Sequence, residues 1–348
     1  MADAVMTDAR ERGALAAEMA SFNIAVAQPT DGPLFTRTPQ SSMVPWHWKA
    51  ADLARLLEKI GASLKLEPGG QRRTLRLANP GLPFGTTPTF WASIQYILPG
   101  EVATNHRHAA TALRFIMQGS GSETVVDGEL ATMSEGDLVL TPSWTWHDHE
   151  NKSDQPMVWL DVLDISAVRS LHAVFFEGSD APRQEVAALP DRAFRQFGSA
   201  IMRPPGARHD GPTSPILSYT RERAWAALEQ AAGLEPDQFD DVLLEYQNPL
   251  TGGPALPTMG TMLQMLRPGA HTAAHRHTGS VVYYVCEGQG ATVIDDKRFD
   301  WGPGDFMALP PWARHEHLNA SADTRAVLFQ VNDLPMLKAL GLYREQAG

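Results

Sequence analysis

The sequence predicts a mainly β protein in which two barrel or sandwich units of one architecture follow each other, with helical segments before, between and after them. Two observations predict it. The first is a histidine-centred pattern written twice. Its first copy is Gly100, five residues, His106-Arg107-His108, then Gly136-Asp137, Pro142, His147 and Asn151. Its second is Gly269, five residues, His275-Arg276-His277, then Gly304-Asp305, Pro310, His315 and Asn319. Gly269 follows Gly100 by 169 positions and His315 follows His147 by 168, so the repeat preserves spacing as well as residue type. The second observation is that each copy is embedded in short alternating or β-branched runs cut by Gly and Pro, the pattern of sandwich or barrel strands.

Residues 1–80 read as a helical N-terminal segment. One helix is expected around Thr7 to Phe22 and another from Lys49 to Ala62, where Leu53, Leu56, Leu57 and Ile60 keep a three-to-four spacing. Pro29, Pro33, Pro39 and Pro45 keep the two apart. Residues 81–165 form the first barrel, with strands in Phe90–Tyr96, Leu113–Ile116, Glu123–Val126, Leu138–Leu140 and Val158–Leu160 and a tight hairpin turn at Asp127-Gly128. Residues 166–245 are a connector of helix and Pro-rich loop, its clearest helix running from Arg221 to Ala232. The strand pattern returns in the second barrel, residues 246–333. Residues 334–348 close the chain as a helix from Leu334 to Gln346.

Composition narrows the function classes. With 43% hydrophobic and 20% charged residues the chain is expected to fold as a soluble globular protein. Its apolar runs fall short of the roughly 20 residues a bilayer helix needs, and the N-terminus lacks a basic-then-apolar leader, so a cytoplasmic location is expected. A single cysteine, Cys286, excludes an intrachain disulfide and fits a reducing compartment. The net charge of −11 opposes nucleic acid and anionic membrane as partners. A small anion is still admissible where a metal or an arginine supplies a local positive field.

His106 and His108 stand two apart on an extended segment, so both side chains leave the same face. His147, ending a strand that starts after Gly136-Asp137, is placed to complete a facial set of three, and His275, His277 and His315 repeat the arrangement. An isolated pair of this kind is common. Two copies with a glycine, a third histidine and an asparagine at matching distances predict a metal. Three neutral imidazoles leave its +2 charge uncompensated and several positions open, which suits octahedral iron(II) accepting a chelating anion and dioxygen. Zinc with a water is the alternative. Hydrolysis by zinc would need a general base, and the motif residues do not provide one.

The two motifs resemble those of the cupin superfamily, and the match covers both strand-rich regions. The glutamate that commonly follows the HxH pair in cupins is absent from Ala109–Arg114 and from Thr278–Tyr283. A more specific resemblance lies in Leu113-Arg114-Phe115-Ile116, in Leu138 to His149 and in Phe299 to Asp305. These segments are similar to gentisate 1,2-dioxygenase and its relatives that act on salicylate and 1-hydroxy-2-naphthoate.

That resemblance implies a bicupin, two double-stranded β-helix (jelly-roll) barrels, using iron(II), Fe(2+), and O2 to open the ring of gentisate to maleylpyruvate, as a homotetramer. It implies His106, His108 and His147 as ligands and Arg114 as the group contacting the substrate carboxylate. Gln95, His149 and Asp161 become groups that orient substrate oxygens or relay a proton. Trp91, Ser93 and Trp146 become pocket residues, with Arg72 or Arg73 reaching over the pocket. Ser93 stands where the family usually has alanine or glycine. Packing for the tryptophans and ion pairing for Arg114 and Asp161 are the competing roles.

Carried to the second barrel, the offsets place Gln264 opposite Gln95, Tyr283 opposite Arg114, Gly260 opposite Trp91, His317 opposite His149 and Phe329 opposite Asp161. The second barrel is therefore expected to hold a metal without the substrate arginine. Cleavage of salicylate or 1-hydroxy-2-naphthoate, a manganese oxalate decarboxylase and a non-catalytic ligand-binding bicupin are the rival readings.

Overall fold

Period-two alternation of apolar residues builds four antiparallel sheets in the computed structural model, which describes residues 9–25, 35–64, 73–199 and 201–348. The chain divides into two units, Met1–Gln40 and Ser41–Gly348. In the first unit the expected helix is α1 (Ala9–Ser21), ended by Asn23 with φ 56°.

Both barrels lie in the second unit. The large sheet of the first is built from β2 (Thr74–Arg76), β3 (Trp91–Ile97), β5 (Ala112–Gln118), β8 (Leu138–Thr141), β10 (Met157–Leu163) and β12 (Ser218–Tyr219), in the order β12-β8-β5-β10-β3-β2. Its small sheet has the order β11-β4-β9-β6-β7, from β4 (Val102–His108), β6 (Ser120–Val126), β7 (Glu129–Ser134), β9 (His147–Asn151) and β11 (Phe176–Gly178). Asp127 and Gly128 both take positive φ between β6 and β7, as a two-residue hairpin turn requires.

The second barrel repeats this plan. Its large sheet runs β1-β19-β16-β21-β14-β13, from β1 (Trp46–Trp48), β13 (Val242–Glu245), β14 (Gly260–Leu266), β16 (Val281–Glu287), β19 (Phe306–Leu309) and β21 (Ala326–Asn332). The small sheet runs β18-β17-β20-β15-β22, from β15 (His275–His277), β17 (Gly290–Ile294), β18 (Lys297–Trp301), β20 (His315–Leu318) and β22 (Glu345–Ala347).

Strand β1 belongs to the second barrel, although it precedes the first in sequence. It leads into α2 (Ala50–Ser63), whose Ala50 N–H donates to Asp305 Oδ1 at 2.7 Å. In the same way β12 leads into α5 (Arg221–Ala231), whose Arg221 N–H donates to Asp137 Oδ1 at 2.8 Å. The Gly-Asp of each motif is thus an anchor for a helix N-terminus, whose first N–H groups have no partner within the helix. Gly100 and Gly269 take φ 76° and 73°, a conformation cheap only for glycine. Asn151 Nδ2 donates to the carbonyls of Ile97 and Gln155, and Asn319 Nδ2 to those of Leu266 and Thr324. The motif asparagine therefore clamps the turn before the last barrel strand.

The two large sheets pack against one another and share a core. Leu113, Phe115, Leu138 and Leu160 from one meet Leu263, Tyr284, Val327 and Phe329 from the other, with the rings of Phe115 and Phe329 stacked at 4.0 Å. Each barrel also has its own interior, Ile116, Met133 and Trp159 in the first and Val285, Phe299 and Trp301 in the second.

The connector holds α3 (Ile165–Ser170) and α4 (Arg192–Phe197). The closing helix is shorter than expected. As α6 (Leu334–Ala339) it stops where Gly341 takes φ 70° and Leu342 N–H returns to Leu337 O while Gly341 N–H returns to Lys338 O. That double return is the Schellman termination, which a left-handed glycine permits. The chain then extends into β22 and adds an edge strand to the small sheet. One equivalence also changes: strand register pairs Tyr283 with Gln330, as it pairs Arg114 with Asp161, so Gln330 and not Phe329 is the counterpart of Asp161. The loop after Asn319 is one residue longer than that after Asn151 and restores the offset of 169.

Candidate metal centres and the adjoining cavity

Strand β4 presents His106 and His108 on one face, and β9, paired to it with His106 opposite His147, brings in the third ring. The ligand-type nitrogens of the three lie within 4.8 Å of one another. Each ring is held by a backbone carbonyl: Nδ1 of His106 contacts Thr104 O at 2.8 Å, that of His108 Ala110 O at 2.7 Å, and that of His147 Thr145 O at 3.0 Å. A carbonyl accepts only from N–H, so Nδ1 carries a proton, and in the neutral ring Nε2 then keeps its lone pair, the tautomer a metal ligand needs. His147 Nε2 is buried with no hydrogen-bond partner. Burial first, then the Arg114 guanidinium and the other two imidazoles, holds His147 well below its ordinary pKa. Three converging imidazoles, with the buried His147 Nε2 unpartnered, fit a divalent cation.

A cavity of about 580 Å³ opens beside this triad, lined by His106, His108, Arg114, Trp91, Ser93, Gln95, Asp161 and Phe176 among others. Its polar wall is the large sheet. Asp161 on β10 faces Arg114 on β5 on one side and Ser93 on β3 on the other. Its carboxylate lies 3.3 Å from Arg114 Nε and accepts from Gln95 Nε2 at 3.0 Å. Thr141 Oγ1 accepts from Arg114 Nη1 at 2.5 Å. Arg114 is 1% exposed, and burial lowers its pKa against the opposing pull of Asp161. A buried guanidinium held on two sides is fixed in direction, as recognition of a carboxylate requires. The expected ion pair and the expected pocket arginine are therefore one arrangement.

The other expected residues divide. Trp91 and Ser93 line the cavity, with the Trp91 ring edge-on to Phe84 and stacked on Arg76. His149 is fully buried behind His147, its ring 5.8 Å from that of Trp159, and is not among the cavity-lining residues. Trp146 is a correction. It lies in the segment just before β9, outside the cavity lining, where Arg107 lies over its ring at 4.6 Å. Arg73 is another: it is bound to Glu101 and to Leu64 O, away from the cavity lining. Arg72 lies outside the described residues. Sequence reasoning missed Phe176 and Thr141. Phe176 stands in a two-phenylalanine run of the connector, and only its pairing with His108 brings it to the cavity.

The second triad is built likewise, with His275, His277 and His315 nitrogens within 4.8 Å. Nε2 of His275 and of His315 are 2.8 Å apart, a juxtaposition that a shared proton or cation relieves. Burial, then His275, takes His277 down to about 4. The surroundings differ. Asp240 accepts from Gln264 Nε2, and burial with Asp237 and Glu345 nearby pushes it up to about 7.

Comparison with known proteins agrees with this geometry. The cupin domain family model matches residues 93–163 and again 262–332. A 5-aminosalicylate 1,2-dioxygenase of Comamonas sp is 39% identical over 340 residues, 96% of this chain and 90% of the relative. A gentisate 1,2-dioxygenase of Streptomyces sp is 40% identical over 325 residues, 90% of this chain and 89% of the relative. Among solved structures, salicylate 1,2-dioxygenase from Pseudoaminobacter salicylatoxidans with gentisate superposes with a TM-score of 0.90 at 35% identity, covering 99% of this chain and 95% of that one.

Proposed function

The chain belongs to the bicupin family of ring-cleaving gentisate and salicylate 1,2-dioxygenases, and on that premise we propose that its first barrel cleaves gentisate with dioxygen to maleylpyruvate. The observation that carries the proposal is the buried Arg114–Asp161–Gln95 array opening into the same cavity as the imidazoles of His106 and His108.

His106, His108 and His147 would hold iron(II), which when bound would supply Lewis acidity towards the ortho-hydroxyl and a site for dioxygen. The protein residues do the positioning. Arg114 receives the carboxylate through the part of its fork that Asp161 and Thr141 leave unengaged. Asp161 keeps that fork from turning and holds the Gln95 amide beside it. Trp91 and Phe176 bound the ring on apolar sides. Both oxygen atoms of O2 enter the product and no external reductant is consumed.

A second reading, cleavage of 5-aminosalicylate, has specific support in the relative matched along 96% of this chain, because an amino group and a hydroxyl occupy the same ring position para to the ortho-hydroxyl. The assay is anaerobic loading with iron(II), then gentisate, 5-aminosalicylate, salicylate or 1-hydroxy-2-naphthoate, then air. Oxygen uptake with a near-ultraviolet product band is expected first for gentisate. Absence of uptake with all four acids rejects the proposal, and uptake with 5-aminosalicylate alone selects the second reading.

A further inference from the structure

We infer that the second histidine triad is a divalent-cation site closed to aromatic acids, in which Glu345 of the C-terminal strand is the carboxylate that positions His275. The inference does not depend on which acid the first barrel cleaves.

Comparison of the two barrels at equal positions carries it. Five of the six triad imidazoles place Nδ1 on a backbone carbonyl. His275 does not: its Nδ1 is buried without a hydrogen-bond partner and has Glu345 Oε1 at 3.8 Å. Metal-bound imidazoles almost always direct the second ring nitrogen at a carbonyl or a carboxylate, which fixes tautomer and ring orientation. At 3.8 Å the carboxylate is beyond hydrogen-bond distance, but it is the acceptor placed to take that nitrogen when a metal fixes the ring.

The residue that does so is set by strand pairing. On β22, Glu345 pairs with His277, as Phe176 on β11 pairs with His108. Glu345 thus stands where the first cavity has the apolar wall Phe176. The inversion continues along the large sheet. Tyr283 replaces Arg114 and Gln330 replaces Asp161, while the amide of Gln264, counterpart of Gln95, donates to the Asp240 carboxylate. In the first barrel the triad faces a cation held for an anionic substrate. In the other barrel Tyr283 and Gln330 stand at the positions of Arg114 and Asp161, so that position offers no guanidinium to an aromatic acid, and the Glu345 carboxylate lies beside His275, which favours a metal ion over an anion.

Cobalt(II) is the probe, since its d–d bands report the ligand field of each site. Wild type is expected to bind two ions per chain, and His108→Ala and His277→Ala one each. In the His108→Ala background, Glu345→Gln is expected to weaken cobalt binding about 10- to 100-fold, the usual effect of losing such a partner. Addition of gentisate or salicylate is expected to leave the cobalt bands of His108→Ala unchanged. Where His108→Ala does not fold, titration of Glu345→Gln alone gives the same information: only the phase that His277→Ala abolishes should weaken. Unaltered affinity in Glu345→Gln, or bands of the second site that shift with either acid, overturns the inference.

Discussion

Replacing Arg114 by Met removes the guanidinium while keeping much of the volume of its stem, and the structure predicts two separable losses. The first is recognition. A hydrogen bond to a charged group contributes about 1.5–3 kcal/mol, so kcat/KM for gentisate should fall about 10- to 150-fold. The other is stability. Asp161 loses its partner in a site where the two side chains are 1% and 6% exposed, and breaking a buried pair costs about 3–5 kcal/mol. Gln95 still donates to Asp161, which places the expected cost at the lower end. The assay measures oxygen uptake with gentisate and with its neutral amide, in wild type and in Arg114→Met, beside urea unfolding of both proteins. Wild type should discriminate strongly between acid and amide and the variant should not. Recognition of the carboxylate by Arg114 is refuted if the variant loses the same factor on both substrates, because the side chain then acts only through the fold.

Other consequences follow from the same structure. His108→Ala should lower the metal content by one ion per chain and abolish oxygen uptake, measured by elemental analysis on the sample assayed. Phe176→Glu places in the first barrel the carboxylate that Glu345 provides in the second; with unit charges about 7 Å apart and an effective dielectric near 20, repulsion of about 2 kcal/mol should reduce kcat/KM for gentisate roughly 30-fold. Burial, reinforced by His275 and His277, takes His317 to about 3, so it stays neutral in the folded state while the unfolded chain takes up a proton below about 6.5. Metal-free protein should therefore lose stability as pH falls from 6.5 towards 3, on the order of 3–5 kcal/mol from this residue; a flat urea midpoint across that range in wild type, or an unchanged slope in His317→Phe, contradicts it. Gly341→Ala should cost about 1 kcal/mol through its left-handed φ of 70°, as there is open space for the added methyl, and a chevron plot checks it.

Sequence alone determined the tandem architecture and the two histidine triads. Both are written locally: alternation with period two assigns faces, and an HxH pair on a strand must aim together whatever the rest of the chain does. Glycine at a left-handed turn and a terminating Gly341 are also local statements, although apolar spacing alone carries the closing helix past the latter. Tertiary structure decided what surrounds the triads. Phe176 and Glu345 come from segments with no strand signal of their own, and they reach the triads only by adding an edge strand to an existing sheet. Trp146 and Arg73 are equivalent to pocket residues by type and position, but Arg107 covers the first and Glu101 binds the second outside the cavity lining. The pairing of Arg114 with Asp161 depends on the register between β5 and β10, which nothing within either strand specifies. Chemistry that depends on a single residue's type and spacing is therefore written in the chain. Chemistry that depends on which strands become neighbours appears only once the hydrophobic core has set their order.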